Sequence, residues 1–170
     1  YVPQKAIMFT GTVTSNVSYG ENGKEKATKE KIKEAIKVAQ GKDFVEKMED
    51  NYQAHIARGG TNVSGGQKQR LAIARAIARD PEIYIFDDSF SALDYKTDSV
   101  LRKELKKYTK DATSMIVAQR IGTIINADKI VVLDEGKCVG MGTHKELLKN
   151  CEVYKEIALS QLSEEELENA

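Results

Sequence analysis

Several things are scarce in this chain, and each scarcity closes a route. Cysteine is limited to Cys138 and Cys151. No metal-binding spacing joins them, so they read as two reduced cytosolic thiols. An excess of one charge is missing: 26 Lys+Arg face 26 Asp+Glu. That removes the bulk basic signal expected for nucleic acid or an anionic membrane. No apolar run approaches the ~20 residues of a membrane span, and no signal peptide is visible. Histidine occurs only at His55 and His144. An initiator methionine is absent as well. The chain opens on "YVPQ", which reads as the end of a strand, so the expectation is a fragment of something longer.

What is present is ordinary for a globular protein. The 170 residues are 41% hydrophobic and 31% charged, enough for one domain with a real core. "YGENGKEKATKE" (19–30) reads as a polar surface loop. "TKEKIKEAIKVAQ" (28–40) puts Ile32, Ala35, Ile36 and Ala39 on one helical face, and "DFVEKM" (43–48) reads as a second short helix. Ser64 with Gln67 makes a capping box that opens a helix carrying Leu71, Ala74, Ile77 and Ala78. Asp80-Pro81 stops that helix. "EIYIF" (82–86) reads as a buried parallel strand. "SVLRKELKKY" (99–108) predicts a helix, "TSMIVA" (113–118) and "KIVVL" (129–133) predict strands, and "DEGK" (134–137) a turn. Thr143 with Glu146 caps the helix of "HKELLKN". The last residues, "SEEELENA", are acidic and read as a frayed tail. Helices alternating with short apolar strands predict an α/β sheet domain.

Two motifs carry chemistry. In "SGGQ" (64–67) two glycines leave the first backbone N–H groups of a helix unobstructed, and those groups with the positive helix end suit a phosphate. Ser64 can cap its helix and still offer a hydroxyl. Taken alone, the same four residues also describe a simple capped helix after a turn. "IYIFDD" (83–88) is an apolar strand ending in two acids. Ligands of α/β proteins gather at the carboxyl ends of strands, and an Asp there can hold Mg²⁺, which favours oxygen ligands and keeps waters. Taken alone, it is also a strand ending in a polar turn.

Together and in this order the motifs resemble the nucleotide-binding domain of an ATP-binding cassette transporter, over Gln4 to about Leu159. "NVSGGQKQR" resembles the family signature, with Val63 where leucine is usual. The resemblance implies an α/β, P-loop NTPase-like fold with a helical subdomain over about 10–80, the C-terminal part of the ATP-binding core over 81–160 and an acidic tail over 161–170. It implies that Ser64, Gly65, Gly66 and Gln67 meet nucleotide, that Asp87 of the Walker B-like strand holds Mg²⁺, and that Gln4 of a Q-loop-like segment contacts Mg²⁺ or water. "SALD" resembles the D-loop, implying that Asp94 acts across a dimer. "AHIARGG" (54–60) resembles the exporter-type segment that meets the membrane domain. The implied cofactors are ATP and Mg²⁺. The implied partners are a second nucleotide-binding domain and a fused or associated transmembrane domain at the cytoplasmic face of a membrane, with no nucleic acid.

Three departures qualify the resemblance. Active members place a glutamate after the Walker B aspartate; here it is Asp88, one methylene shorter. Proton transfer needs a reach of ~2.6–3.2 Å between heavy atoms, which a shorter acid misses unless water bridges it. At the switch position, where the family has histidine, "VAQR" supplies Gln119. An amide can hydrogen-bond a phosphate but cannot carry a proton or a positive charge. These two changes resemble the degenerate-site half of a heterodimeric exporter. Finally, no G-x-x-x-x-G-K-[ST] phosphate loop occurs, so the family's Walker A is expected upstream of Tyr1. Two other classes stay open: a soluble cassette ATPase acting on nucleic acid or ribosomes, and a regulatory ATP-binding module without turnover.

Overall fold

The computed structural model describes residues 1–20, 23 and 25–163. The acidic tail from residue 164 on lies outside the described residues, as do positions 21, 22 and 24 of the polar loop. The elements, in chain order, are β1 (Gly11–Thr12), α1 (Val13–Val17), α2 (Lys29–Val38), α3 (Lys42–Val45), β2 (His55–Ile56), α4 (Gly65–Ala78), β3 (Ile83–Asp87), α5 (Tyr95–Tyr108), β4 (Thr113–Val117), α6 (Ile121–Ile124), β5 (Ile130–Asp134), β6 (Lys137–Gly142), α7 (His144–Asn150) and α8 (Glu152–Leu159). They form two compact units, Tyr1–Val117 and Ala118–Ala170. Among the described residues no helix is long and apolar enough to cross a membrane.

In the first unit α4 is the organising helix. Its start is set by the expected box: Gln67 N–H donates to Ser64 Oγ at 3.2 Å, and Ser64 N–H donates to Gln67 Oε1 at 2.8 Å. Leu71, Ala74, Ile77 and Ala78 are buried, and so is Ile73. The apolar stripe of α2 is buried too, at Ile32, Ala35 and Ile36, with Ala39 just past its end. α4 stops at Ala78, and Asp80, pinned before Pro81, takes a left-handed φ of 50°. α5 starts four residues earlier than its apolar pattern predicts. Asp94 caps it through a 3.0 Å bond from Thr97 N–H, which recruits the polar first turn.

β3 pairs in parallel with β4, from Ile83 opposite Thr113 to Asp87 opposite Val117. On the other side of β3, Val2 forms a parallel bridge to Phe86. The expected strand end in "YVPQ" is therefore present as a single rung. The expectation of a fully buried strand needs correction: Tyr84 and Phe86 are in the core, while Ile83 is 59% exposed. Helices cover one face of the β3–β4 pair, and the other face leaves Met115 and Val117 exposed as well. Phe86 is fully buried between Tyr84 and Phe90, with ring centroids 5.9 and 5.4 Å away.

The second unit is a hairpin with helices. β5 and β6 pair antiparallel, joined by Glu135 and Gly136, both left-handed at φ 46° and 76°. Two consecutive positive φ values match the twist of a tight hairpin. Its core holds Ile121, Ile130, Val132, Leu147, Cys151, Tyr154 and Ala158. Gly140 is needed there, because a Cβ would lie 2.8 Å from Cys151 Sγ and 3.0 Å from Leu147 Cδ2. Thr143 and Glu146 form the expected box at the start of α7.

Candidate functional site

The carboxyl end of β3 is densely bonded. Asp87 N–H donates to Val2 O at 3.0 Å, and Val2 N–H donates to Ile85 O at 2.8 Å. The Tyr1 phenol donates to Asp87 Oδ2 at 2.8 Å. That hydrogen bond pushes the phenol above its ordinary pKa, which keeps it a donor. The next residue, Asp88, turns the chain with a left-handed φ of 44°. Its N–H donates to Val117 O at 2.9 Å, its carbonyl accepts from Ser91 Oγ at 2.9 Å, and its Oδ2 accepts from Gln4 Nε2 at 3.1 Å. Ser89 is buried, and its hydroxyl donates to Val2 O at 2.8 Å. The Tyr1–Gln4 segment is also held from α4, where buried Gln69 donates through Nε2 to Pro3 O at 3.1 Å.

The start of α4 is open by contrast. Ser64 and Gly65 are exposed. Ser64 Oγ accepts from its own helix, so its hydroxyl proton remains available. A Cβ at Gly65 would meet nothing within 4 Å, whereas one at Gly66 would lie 3.3 Å from Ala92 O. Gly66 is thus explained by the "SALD" loop packed on it, and Gly65 by nothing among the described residues. Asp94, at the end of that loop, is exposed. The Thr97 backbone N–H holds its carboxyl below the usual range, and the Arg70 charge adds to this. Arg70 itself lies over the Phe44 ring at 4.6 Å and donates to Gln40 O at 2.7 Å.

The structure therefore brings Gln4, Asp87 and Asp88 into one bonded cluster. It places Ser64, Gly65, Gly66 and Gln67 on the first turn of α4, with the Asp94 loop against Gly66. Gln119 belongs to the second unit. It is exposed there, and its carbonyl accepts from Gln161 Nε2 at 2.8 Å. Gln161 Oε1 accepts from Ile121 N–H at 2.9 Å, which ties this turn to the end of α8. Among the described residues no three His, Cys, Asp or Glu side chains gather into a metal site. Mg²⁺ is typically held by one or two carboxylates with phosphates and water, and the Asp87 carboxylate is of the oxygen-donor kind it favours.

Sequence patterns alone did not reveal Tyr1, Ser89 or Gln69 as members of this cluster. Gln69 had a usable signal, being a polar residue on the buried stripe of α4. Arg75 was also passed over. Its guanidinium donates to Asn16 O at 2.8 Å, Ile7 O at 3.1 Å and Asn16 Oδ1 at 3.2 Å, and it lies 5.3 Å from the Phe9 ring and 5.9 Å from that of Tyr19. It orders the 7–19 segment, on which β1 pairs with β2 of "AHIARGG". Ile7, Phe9 and Tyr19 stay exposed there.

Comparison with known proteins identifies the family and the fold. The family model described as ABC transporter matches residues 1–91. An uncharacterized ABC transporter ATP-binding protein of Mycobacterium tuberculosis is 48% identical over 160 residues, 94% of this chain and 27% of that protein. ABC transporter B family member 1 of Dictyostelium discoideum is 37% identical over 167 residues, 98% of this chain and 18% of that protein. The chain thus spans under a third of the length of these curated relatives. A solved bacterial Atm1-family ABC exporter with ATP bound superposes with a TM-score of 0.87 at 33% identity, covering 94% of this chain and 28% of that one.

Proposed function

The chain belongs to the ABC transporter family, with that family's α/β ATPase fold and ATP-binding role, and from that premise we propose that it is the degenerate-site half of a heterodimeric exporter. In this reading residues 10–80 form the helical subdomain, residues 81–160 the C-terminal part of the ATP-binding core, and 161–170 a tail. A phosphate loop from outside this chain completes the core. The assembly sits at the cytoplasmic face of a membrane, and ATP is sandwiched between two such domains.

The observation that carries the proposal is Gly65. It is a glycine that its own fold does not demand, at the exposed start of a capped helix. Backbone N–H groups and the helix dipole there suit the γ-phosphate of an ATP held by the partner domain. Ser64 adds its hydroxyl and Gln67 keeps the turn in shape. Asp94 reaches across the same interface from the loop packed on Gly66. In this chain's own site Asp87 and Gln4 would hold Mg²⁺, which would supply charge neutralisation for phosphoryl transfer. Asp88 and Gln119 occupy the acid and switch positions without a glutamate's reach or a histidine's proton. The exposed Ile7, Phe9 and Tyr19 on the Arg75-ordered segment suit the membrane domain. Closure on ATP and reopening after hydrolysis at the partner's site then move the transmembrane helices between two accesses.

Single-turnover measurement on the assembled transporter tests this. Two ATP molecules bind per assembly and one is hydrolysed promptly. Prompt hydrolysis of both removes the degenerate assignment, and failure to bind ATP removes the reading as a whole.

A further inference from the structure

An ionised carboxylate accepts hydrogen bonds and cannot donate them. The end of Gln4 that lies 3.1 Å from Asp88 Oδ2 is therefore its amide nitrogen, and Oε1 is left to a ligand. The neighbouring acid is arranged the same way, since the Tyr1 phenol takes Asp87 Oδ2 and leaves Oδ1 to a ligand. These two bonds run between the same pair of segments, Tyr1–Gln4 and Asp87–Asp88. Both segments are fixed from behind. Val2 is held by backbone bonds on β3 and by buried Ser89, and Pro3 O is held by buried Gln69. Asp88 is anchored through its own N–H and carbonyl at a left-handed φ of 44°. Its short side chain has few rotamers, while Gln4 is long and exposed, with no other side-chain hydrogen bond among the described residues. The rigid member of the pair is Asp88, and the member being oriented is Gln4.

We infer that Asp88 is a positioning residue for Gln4: it holds the amide nitrogen so that the amide oxygen is left for a Mg²⁺ that Asp87 would hold. This rests on the reading of the β3 end as a Mg²⁺–nucleotide site. It gives the second acid a task that needs a fixed acceptor and no proton transfer. A glutamate is one methylene longer and has one more torsion, so it would hold Gln4 less rigidly.

The test is a double-mutant cycle on metal binding in the assembled transporter, with the other nucleotide site disabled. Mn²⁺ affinity in the presence of ATP is read by electron paramagnetic resonance for the unmodified protein, Asp88→Ala, Gln4→Ala and the double variant. Asp88→Ala is expected to weaken Mn²⁺ binding by roughly threefold to tenfold, the scale of one exposed charge-assisted hydrogen bond. It should have no further effect in the Gln4→Ala background. Asp88→Asn, whose side-chain oxygen still accepts, should retain most of the affinity. Two results overturn the inference while leaving the nucleotide site intact. One is unchanged Mn²⁺ affinity in Asp88→Ala, which assigns Asp88 to proton chemistry alone. The other is an equal loss with and without Gln4, which makes Asp88 a direct ligand. Absence of ATP-dependent Mn²⁺ binding in the unmodified assembly overturns the nucleotide-site reading itself.

Discussion

The carboxyl end of β3 and the start of α4 lie in the same unit and differ in almost every physical respect. At β3 the chain is answered by itself: Tyr1 on Asp87, Gln4 on Asp88, Ser89 on Val2. At α4 the helix end is capped and exposed, Gly66 packs against the Ala92 carbonyl, and among the described residues Gly65 faces open space. A site that binds its own acids so closely is organised for holding. A site that keeps a bare backbone in solvent is organised to meet something brought to it. On the reading proposed above, one chain would carry a retaining half-site of its own and offer a contributing half-site to another.

The largest expected way to break this comparison is to loosen β3 from below. Phe86 is fully buried and stacks with Tyr84 and Phe90. Phe86→Ala should destabilise the first unit by about 3–5 kcal/mol, read by urea denaturation. A loss below about 1 kcal/mol would mean that the β3 end is not set by this core. Next in size is a gain. Asp88→Glu with Gln119→His should raise turnover at this chain's own site by about tenfold or more, a fraction of the ~10²–10⁴ typical of a positioned base. The readout is ATP hydrolysis with the partner's acid disabled. No gain would show that the retaining character comes from elsewhere.

The two regions were unequally legible before the structure, for a physical reason. The α4 start is local. Ser64 and Gln67 are three residues apart, and a capping box is written within one turn. The stripe of α2 and the Thr143 box were readable for the same reason. The β3 cluster joins residues separated by 84 to 87 positions, and no periodicity links Tyr1 to Asp87 or Gln4 to Asp88. Family resemblance named Gln4, Asp87 and Asp88 without their partners. Buried Ser89 and Gln69 were missed because buried positions are expected to be apolar. The start of α5 was missed because Asp94 was given a role toward a partner, and its capping of its own helix went unread. β1 and β2 are two residues each, too short to leave an alternation.

Smaller changes sharpen the contrast. Ser64→Ala removes the cap and leaves the Gln67 backbone N–H without its Oγ acceptor, at about 1 kcal/mol. Hydrogen exchange should rise in the first turn of α4 and not at β3; protection lost at both would merge the two regions. The smallest effect lies in the second unit and serves as a control. Buried His144 sits 2.7 Å from the Tyr154 hydroxyl, and among the described residues its Nε2 has no partner. Burial lowers its pKa from the ordinary 6.5, and the Lys145 charge adds to this. A folded pKa below the unfolded one means stability is present above about pH 6.5 and is lost as pH falls through the folded value. His144→Gln should flatten that slope in pH-dependent urea denaturation without altering the first unit. An unchanged slope would mean another group is responsible.

The contrast itself is tested most directly by steady-state ATPase of the assembled transporter carrying Gly65→Glu or Asp88→Asn. A glutamate at the α4 start sets a negative charge against phosphate where water screens poorly, so Gly65→Glu should abolish nearly all turnover. Asp88→Asn keeps an acceptor for Gln4 and touches only the retaining site, so turnover should fall modestly. If Asp88→Asn proves as damaging as Gly65→Glu, Asp88 is a working catalytic acid and the division into a retaining and a contributing half-site is wrong.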